Sequence, residues 1–177
     1  MTMPPGLRKA VLTTHIASSV GWLGAVLTYL GLDVAAAAST DADTARSAYT
    51  AMGLTVWYVI VPLALTSLVI GIVNALGTTW GLFRHYWVLV KLLLTLFATT
   101  VLLLEAPTVS YLADGAGSGA DPRELSSTLA HSIGGAVVLL ATTLLSVYKP
   151  RGLTRYGWRK QRERRRRAGS TATAPSG

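Results

Sequence analysis

The chain contains no cysteine, which excludes disulfides, thiolate metal sites and a cysteine nucleophile. It is also poor in charge. Only 14% of its 177 residues are Asp, Glu, Lys or Arg, against about 25% in an average soluble domain. Acids are the scarcer sign, 8 against 16 basic residues, for a formal net charge of +8. A nucleic-acid-binding domain presents its charge on a solvated, folded platform. A chain that is 51% hydrophobic does not supply one, so nucleic acid is not an expected partner. The length, one domain's worth, excludes a large multidomain enzyme.

What is present is long apolar sequence. Ala10 to Leu32 carries no charge, nor does Ser47 to Phe83; His85 to Leu104 holds only Lys91, and Leu125 to Tyr148 holds none. Each run can supply the roughly 20 apolar residues of a membrane-spanning helix. The runs are continuous rather than alternating, which argues against barrel strands. The expected fold is all-α, an integral membrane four-helix bundle with spans at about 8–32, 50–77, 84–104 and 125–148, followed by a largely disordered basic tail, 149–177. The first run is too long for the core of a signal peptide, so it is expected to remain as an uncleaved span.

Basic residues concentrate on the side of the termini: Arg8, Lys9, Arg84, Lys91 and those from Lys149 to Arg167 make 14 of the 16. The opposite connections hold Arg46 and Arg123 with seven of the eight acids, Asp33 and Glu105 among them. The positive-inside rule then makes both termini cytoplasmic, in a bacterial plasma membrane. The connections Asp33–Ala48 and Ala106–Glu124 read as outer loops, and Asp121-Pro122-Arg123-Glu124 reads as the start of the fourth helix. Pro62 should kink the second span. Small residues recur every fourth position at Ala17, Gly21 and Ala25, and at Ser67, Gly71 and Ala75. Such stripes serve packing inside a bundle or a homo-oligomer face. The Arg151–Arg167 tail is suited to anionic lipid headgroups.

Ionisable groups inside a span are functional candidates by default, and three qualify: His15, Lys91 and His131. At 1.5 Å per residue, His15 and Lys91 both lie about 10 Å from the inner ends of their helices, while His131 lies about 15 Å further out. His15 and Lys91 can meet, and His131 forms a separate candidate in the outer half. His15, Ser18, Ser19, Trp22 and Tyr29 share one broad helix face. That face can line a polar cavity, with His15 as an axial haem ligand or proton-transfer group and Trp22 as a wall against a flat ring. Lys91 would be the partner of a propionate or substrate carboxylate. The simpler alternatives are hydrogen bonding across the bundle for His15 and Ser18, and snorkelling for Lys91. His131 could hold a metal or haem, or cap a packing contact.

His15-x6-Trp22-x-Gly24 with Trp87-x3-Lys91-Leu92 resembles the copper-resistance D-like membrane proteins. The same residues are similar to the HemJ-type protoporphyrinogen oxidases, where the resemblance implies a functional pair at His15 and Lys91. His131-Ser132-Ile133-Gly134-Gly135, followed by Tyr148-Lys149-Pro150-Arg151-Gly152-Leu153-Thr154-Arg155-Tyr156-Gly157, resembles a group of uncharacterised small four-helix membrane proteins of actinobacterial type; this covers most of the chain and brings no activity. Three methionines and three histidines are fewer than copper handling requires. The expected function is binding of haem b or a porphyrin through His15, Lys91, Trp22 and Ser18, with redox catalysis left open. The alternative is a non-catalytic membrane subunit that docks partner proteins or anionic lipid. Copper or other solute transport comes third.

Overall fold

A computed structural model describes residues 3–77, 85–117, 128–148, 150, 152, 154–160 and 162. Among these residues the regular structure is helical and no strand forms. The elements are α1 (Pro5–Ala38), α2 (Ala42–Thr55), a π-helical turn (Val56–Ile60), α3 (Val61–Gly77), α4 (Tyr86–Gly117) and α5 (Leu129–Tyr148). From α2 through the π-turn to α3 the backbone is continuous, so Ala42–Gly77 is a single long helix. Four helices are therefore long and apolar enough to cross a membrane. The fold is all-α, with the build of a multi-pass membrane protein.

Polarity is distributed as lipid demands. Leu12, Val20, Leu27, Phe97, Leu104 and Val137 are exposed, whereas Ser18, Asp33, Ser67, Thr99, Ser132 and Thr142 are buried. Hydrocarbon offers no hydrogen-bond partner, so polar side chains turn inward or bond to their own helix. Thr99 and Thr100 donate to the carbonyls of Thr95 and Leu96 at 2.8 and 2.9 Å.

α1 packs between the α2–α3 helix on one side and α5 on the other, and α4 closes the bundle from opposite. Both chain ends lie at one end of it. Gly77, at the close of α3, faces Met3, and the Tyr86 N–H at the start of α4 donates to Gly152 O at 3.4 Å. The end remote from the termini is called distal below.

The helices overrun the spans expected from charge. α1 has 34 residues, about 51 Å of helix for a hydrocarbon layer of about 30 Å. The Asp33–Ala48 stretch is not a loop: α1 continues through Asp33 to Ala38 and α2 begins at Ala42. Ala35–Ala38 are the strongest helix formers available. Asp41 then caps α2, accepting from the Asp43 and Thr44 N–H groups and from the Thr44 hydroxyl at 2.6 Å. The Thr44 hydroxyl and these backbone donors hold the Asp41 carboxyl below its usual range. Ala106 likewise belongs to α4, which passes Pro107 and ends at Gly117.

Pro62 is accommodated by a local change of helix type. It has no N–H, and its ring crowds the carbonyl four residues earlier. The chain widens into the π-turn just before it, where the Val61 N–H donates to Val56 O, five residues back; such bulges accommodate helix defects of this kind. The small residues are used within the bundle. A Cβ on Gly71 would come within 2.9 Å of His15 Cε1, and one on Gly21 within 3.4 Å of Leu63. Ser67 bonds to Ser19 across the α1–α3 seam, at 2.7 Å between the hydroxyls.

α5 stops at Tyr148, but the adjoining tail is not disordered throughout. Thr154 is buried, and residues 155–160 are helical. The Thr154 hydroxyl accepts from the Gly157 N–H at 3.1 Å and its carbonyl from the Trp158 N–H at 2.9 Å. Arg84, Asp121–Glu124, Lys149, Arg151 and residues 163–177 lie outside the described residues.

The tightest helix approach gives a direct test. A Cβ on Gly53 would sit 2.9 Å from Ala113 Cβ, whereas one on Gly24 meets nothing within 4 Å. Gly53→Ala should destabilise the bundle by about 1–3 kcal/mol in SDS-titration unfolding from detergent micelles, and Gly24→Ala should not. Equal behaviour of the two variants would remove the α2–α4 contact.

Candidate functional site

The sequence candidates separate into two sites. On the side of the termini, α1 and α4 bring His15 and Lys91 together, with Lys91 Nζ 3.5 Å from His15 Nε2. The levels inferred from helix rise agree with this contact. The imidazole packs against α3 at Gly71 with Cε1 nearest, where a larger residue would displace it. The Ser18 hydroxyl donates to His15 O at 3.1 Å, within α1. An ammonium can only donate, so Nε2 is the acceptor and the ring proton resides on Nδ1. That nitrogen is buried with no hydrogen-bond partner among the described residues.

Axial ligation of a haem iron needs one ring nitrogen free and open. Here Nδ1 is enclosed by protein and Nε2 faces the lysine, so ligation through Nε2 would require Lys91 to turn away. Trp22, expected as the wall of the same site, belongs elsewhere.

The second site is a cavity of about 400 Å³ in the distal half, between α1, the π-turn, α4 and α5. Its walls are mostly apolar: Trp22, Val26, Val56, Ile60, Phe97 and Leu139 among them. Its polar lining comes from Tyr29, Glu105, Thr128, His131 and Ser132. Trp22 is 3% exposed and forms part of this wall. His131 Nε2 stands 3.5 Å from Glu105 Oε1, an ion pair when the ring is protonated. Neither His15 nor Lys91 lines the cavity.

Behind this wall lies the residue that the charge pattern misplaced. Asp33 is 1% exposed. Its Oδ2 accepts the Thr128 hydroxyl at 2.8 Å and the Ser132 hydroxyl at 3.0 Å, tying α1 to the start of α5. Oδ1 is buried and has no partner among the described residues. Tyr29 OH lies 3.0 Å from Thr128 Oγ1. A threonine hydroxyl has one proton, and Thr128 directs it to Asp33, so Tyr29 is the donor in that pair. The resulting chain runs Tyr29 to Thr128 to Asp33. Its signal in the sequence is the spacing of Tyr29 and Asp33, four residues apart on one helix face, opposite the Thr128/Ser132 pair at the same spacing.

The described residues contain no group of three or more His, Asp or Glu side chains placed to hold a metal ion. No family model, curated protein or solved structure matches the chain. The site therefore has to be understood from its own chemistry.

Removing the acceptor of a buried hydroxyl leaves a donor unsatisfied, at a cost of about 1–3 kcal/mol. Asp33→Ala orphans the Thr128 hydroxyl, while Ser132 keeps Leu129 O as an acceptor at 3.1 Å, and should lower unfolding stability in micelles by that amount. Asp33→Asn retains a carbonyl acceptor and should lose less. An alanine variant as stable as the parent would show that this carboxyl does not join α1 to α5.

Proposed function

We propose that the protein is a multi-pass protein of a bacterial plasma membrane, with cytoplasmic termini, that binds a small lipophilic ligand in the distal cavity. One observation carries the reading: a partly open cavity of about 400 Å³ between the helices, with mainly apolar walls and polar groups from Tyr29, Glu105, Thr128, His131 and Ser132. Ligand sites commonly combine such volume, apolar lining and a few orienting polar groups. Lipid access fits the position of the cavity between helices. The cytoplasmic side of the termini is supported by the basic excess there, Arg8, Lys9 and Lys91 with Arg155, Arg159 and Lys160 of the tail.

The HemJ-type resemblance supports a second reading, porphyrin binding. The approach of His15 and Lys91 favours a functional role for that pair, while the arrangement of the imidazole nitrogens opposes ligation by His15. The distal cavity, with Trp22 and His131 on its wall, is the better place for a flat ring. Docking of anionic lipid by the basic tail is compatible with either reading. No catalytic step is assigned.

Gly135 lines the cavity, and the nearest atom to an added Cβ is 3.9 Å away. Gly135→Leu should therefore fill the space without breaking the fold. An environment-sensitive lipophilic dye should bind the parent in nanodiscs and bind this variant at least about tenfold more weakly, about 1.4 kcal/mol. Equal dye binding would place the ligand outside the cavity. With haem supplied during expression, no Soret band should depend on His15; a band lost in His15→Ala would restore haem ligation at that residue. A cytoplasm-active reporter fused after Gly177 should be active, and activity of a periplasm-dependent reporter alone would invert the topology.

A further inference from the structure

The polar groups around the distal cavity are strongly biased toward accepting hydrogen bonds. Thr128 directs its hydroxyl proton to Asp33 Oδ2, Ser132 shares its own between Asp33 Oδ2 and Leu129 O, and Tyr29 directs its proton to Thr128. Each of these lining oxygens is left with lone pairs for whatever enters the cavity. Glu105 adds a carboxyl group. Its side chain is 32% exposed, and its neighbour His131 is 55% exposed. The donors in the set are His131, whose Nε2 is turned toward Glu105, and the indole N–H of Trp22. Among the described residues, no lysine or arginine lines the cavity.

Two further observations carry the same sign. Asp33 places a second carboxyl immediately behind the wall, nearly fully buried and with one oxygen lacking a partner among the described residues. In a medium of low dielectric constant such groups set the local potential far more strongly than in water. The walls include the aromatic side chains of Trp22, Tyr29 and Phe97, and the faces of such rings attract cations through their quadrupoles. An anion entering here would meet acceptors and carboxyl groups, with one imidazole and one indole N–H to receive it. A cation would meet complementary groups on several sides.

We infer that the ligand of the distal cavity is a lipophilic organic cation, an apolar body of one or a few rings or chains that bears a positive charge. This inference rests on the cavity being the ligand site and specifies the chemistry of what it takes. Glu105 is the direct counter-charge. Asp33 acts as a positioning residue, fixing the direction of the Thr128 and Ser132 hydroxyls. His131 is the competitor: when protonated it neutralises Glu105 and opposes the ligand.

The test uses two probes of matched shape and opposite charge, tetraphenylphosphonium and tetraphenylborate. Binding is measured to full-length protein in phosphatidylcholine nanodiscs, with empty nanodiscs as background. The phosphonium should bind at least about tenfold more tightly than the borate. Glu105→Gln should weaken phosphonium binding by about tenfold and reduce the preference. His131→Ala should strengthen it severalfold, an increase that a misfolded variant would not produce. Equal binding of the two ions, abolished in both cases by Gly135→Leu, would overturn the cation inference and leave the cavity as a ligand site. Binding of the ions or the dye that Gly135→Leu does not alter would overturn the cavity reading itself.

Discussion

Hydrocarbon accepts no hydrogen bonds, and most features of this protein follow from that constraint. A polar group within the bilayer must be satisfied by its own helix or by another. Thr99 and Thr100 take the first course, bonding to carbonyls one turn back. Ser19 and Ser67 take the second, as do Asp33, Thr128 and Ser132. The second course also determines assembly. The serine pair joins α1 to α3 and the aspartate joins α1 to α5, so α1 is fastened on both sides by polar contacts that lipid cannot replace. Apolar packing fills the remaining interior but does not by itself distinguish inside from outside, because lipid tails are equally apolar.

The same constraint separates the two polar sites. At the end near the termini, His15 and Lys91 face each other 3.5 Å apart, in a seam closed by Gly71. At the distal end, the larger polar cluster borders open space. The π-turn and α4 stand across from α1 and α5 there, leaving a cavity bounded by Trp22, Phe97 and Leu139. Buried polar groups that touch only one another serve cohesion. Those that border a cavity are available to a ligand, and this difference underlies the proposal that the distal cluster takes the binding role.

The four apolar runs made the fold legible in the sequence, and helix rise alone put His15 and Lys91 at one level. Two things were hidden. Charge marks where a helix leaves hydrocarbon, not where it ends. Asp33 and Glu105 were therefore read as loop residues, although α1 and α4 continue well past them. The burial of Asp33 depends on hydroxyls 95 and 99 positions away, which local pattern does not connect. Trp22 was grouped with His15 because both lie on one helix face. Seven residues separate them, about 10 Å along the axis, and that distance carries Trp22 into the other site. His131 was legible as a separate candidate, though its partner Glu105 was not.

The central claim is that the distal cavity, and not the His15–Lys91 seam, receives the ligand. Photoaffinity labelling tests it most directly, with an alkylammonium carrying a diazirine on its apolar body and crosslinks mapped by mass spectrometry of the protein in nanodiscs. The account predicts crosslinks at Phe97, Val101 and neighbouring residues of α4 and α5, displaced by excess unlabelled ammonium. Displaceable crosslinks clustered around His15, Gly71 and Lys91 would contradict it.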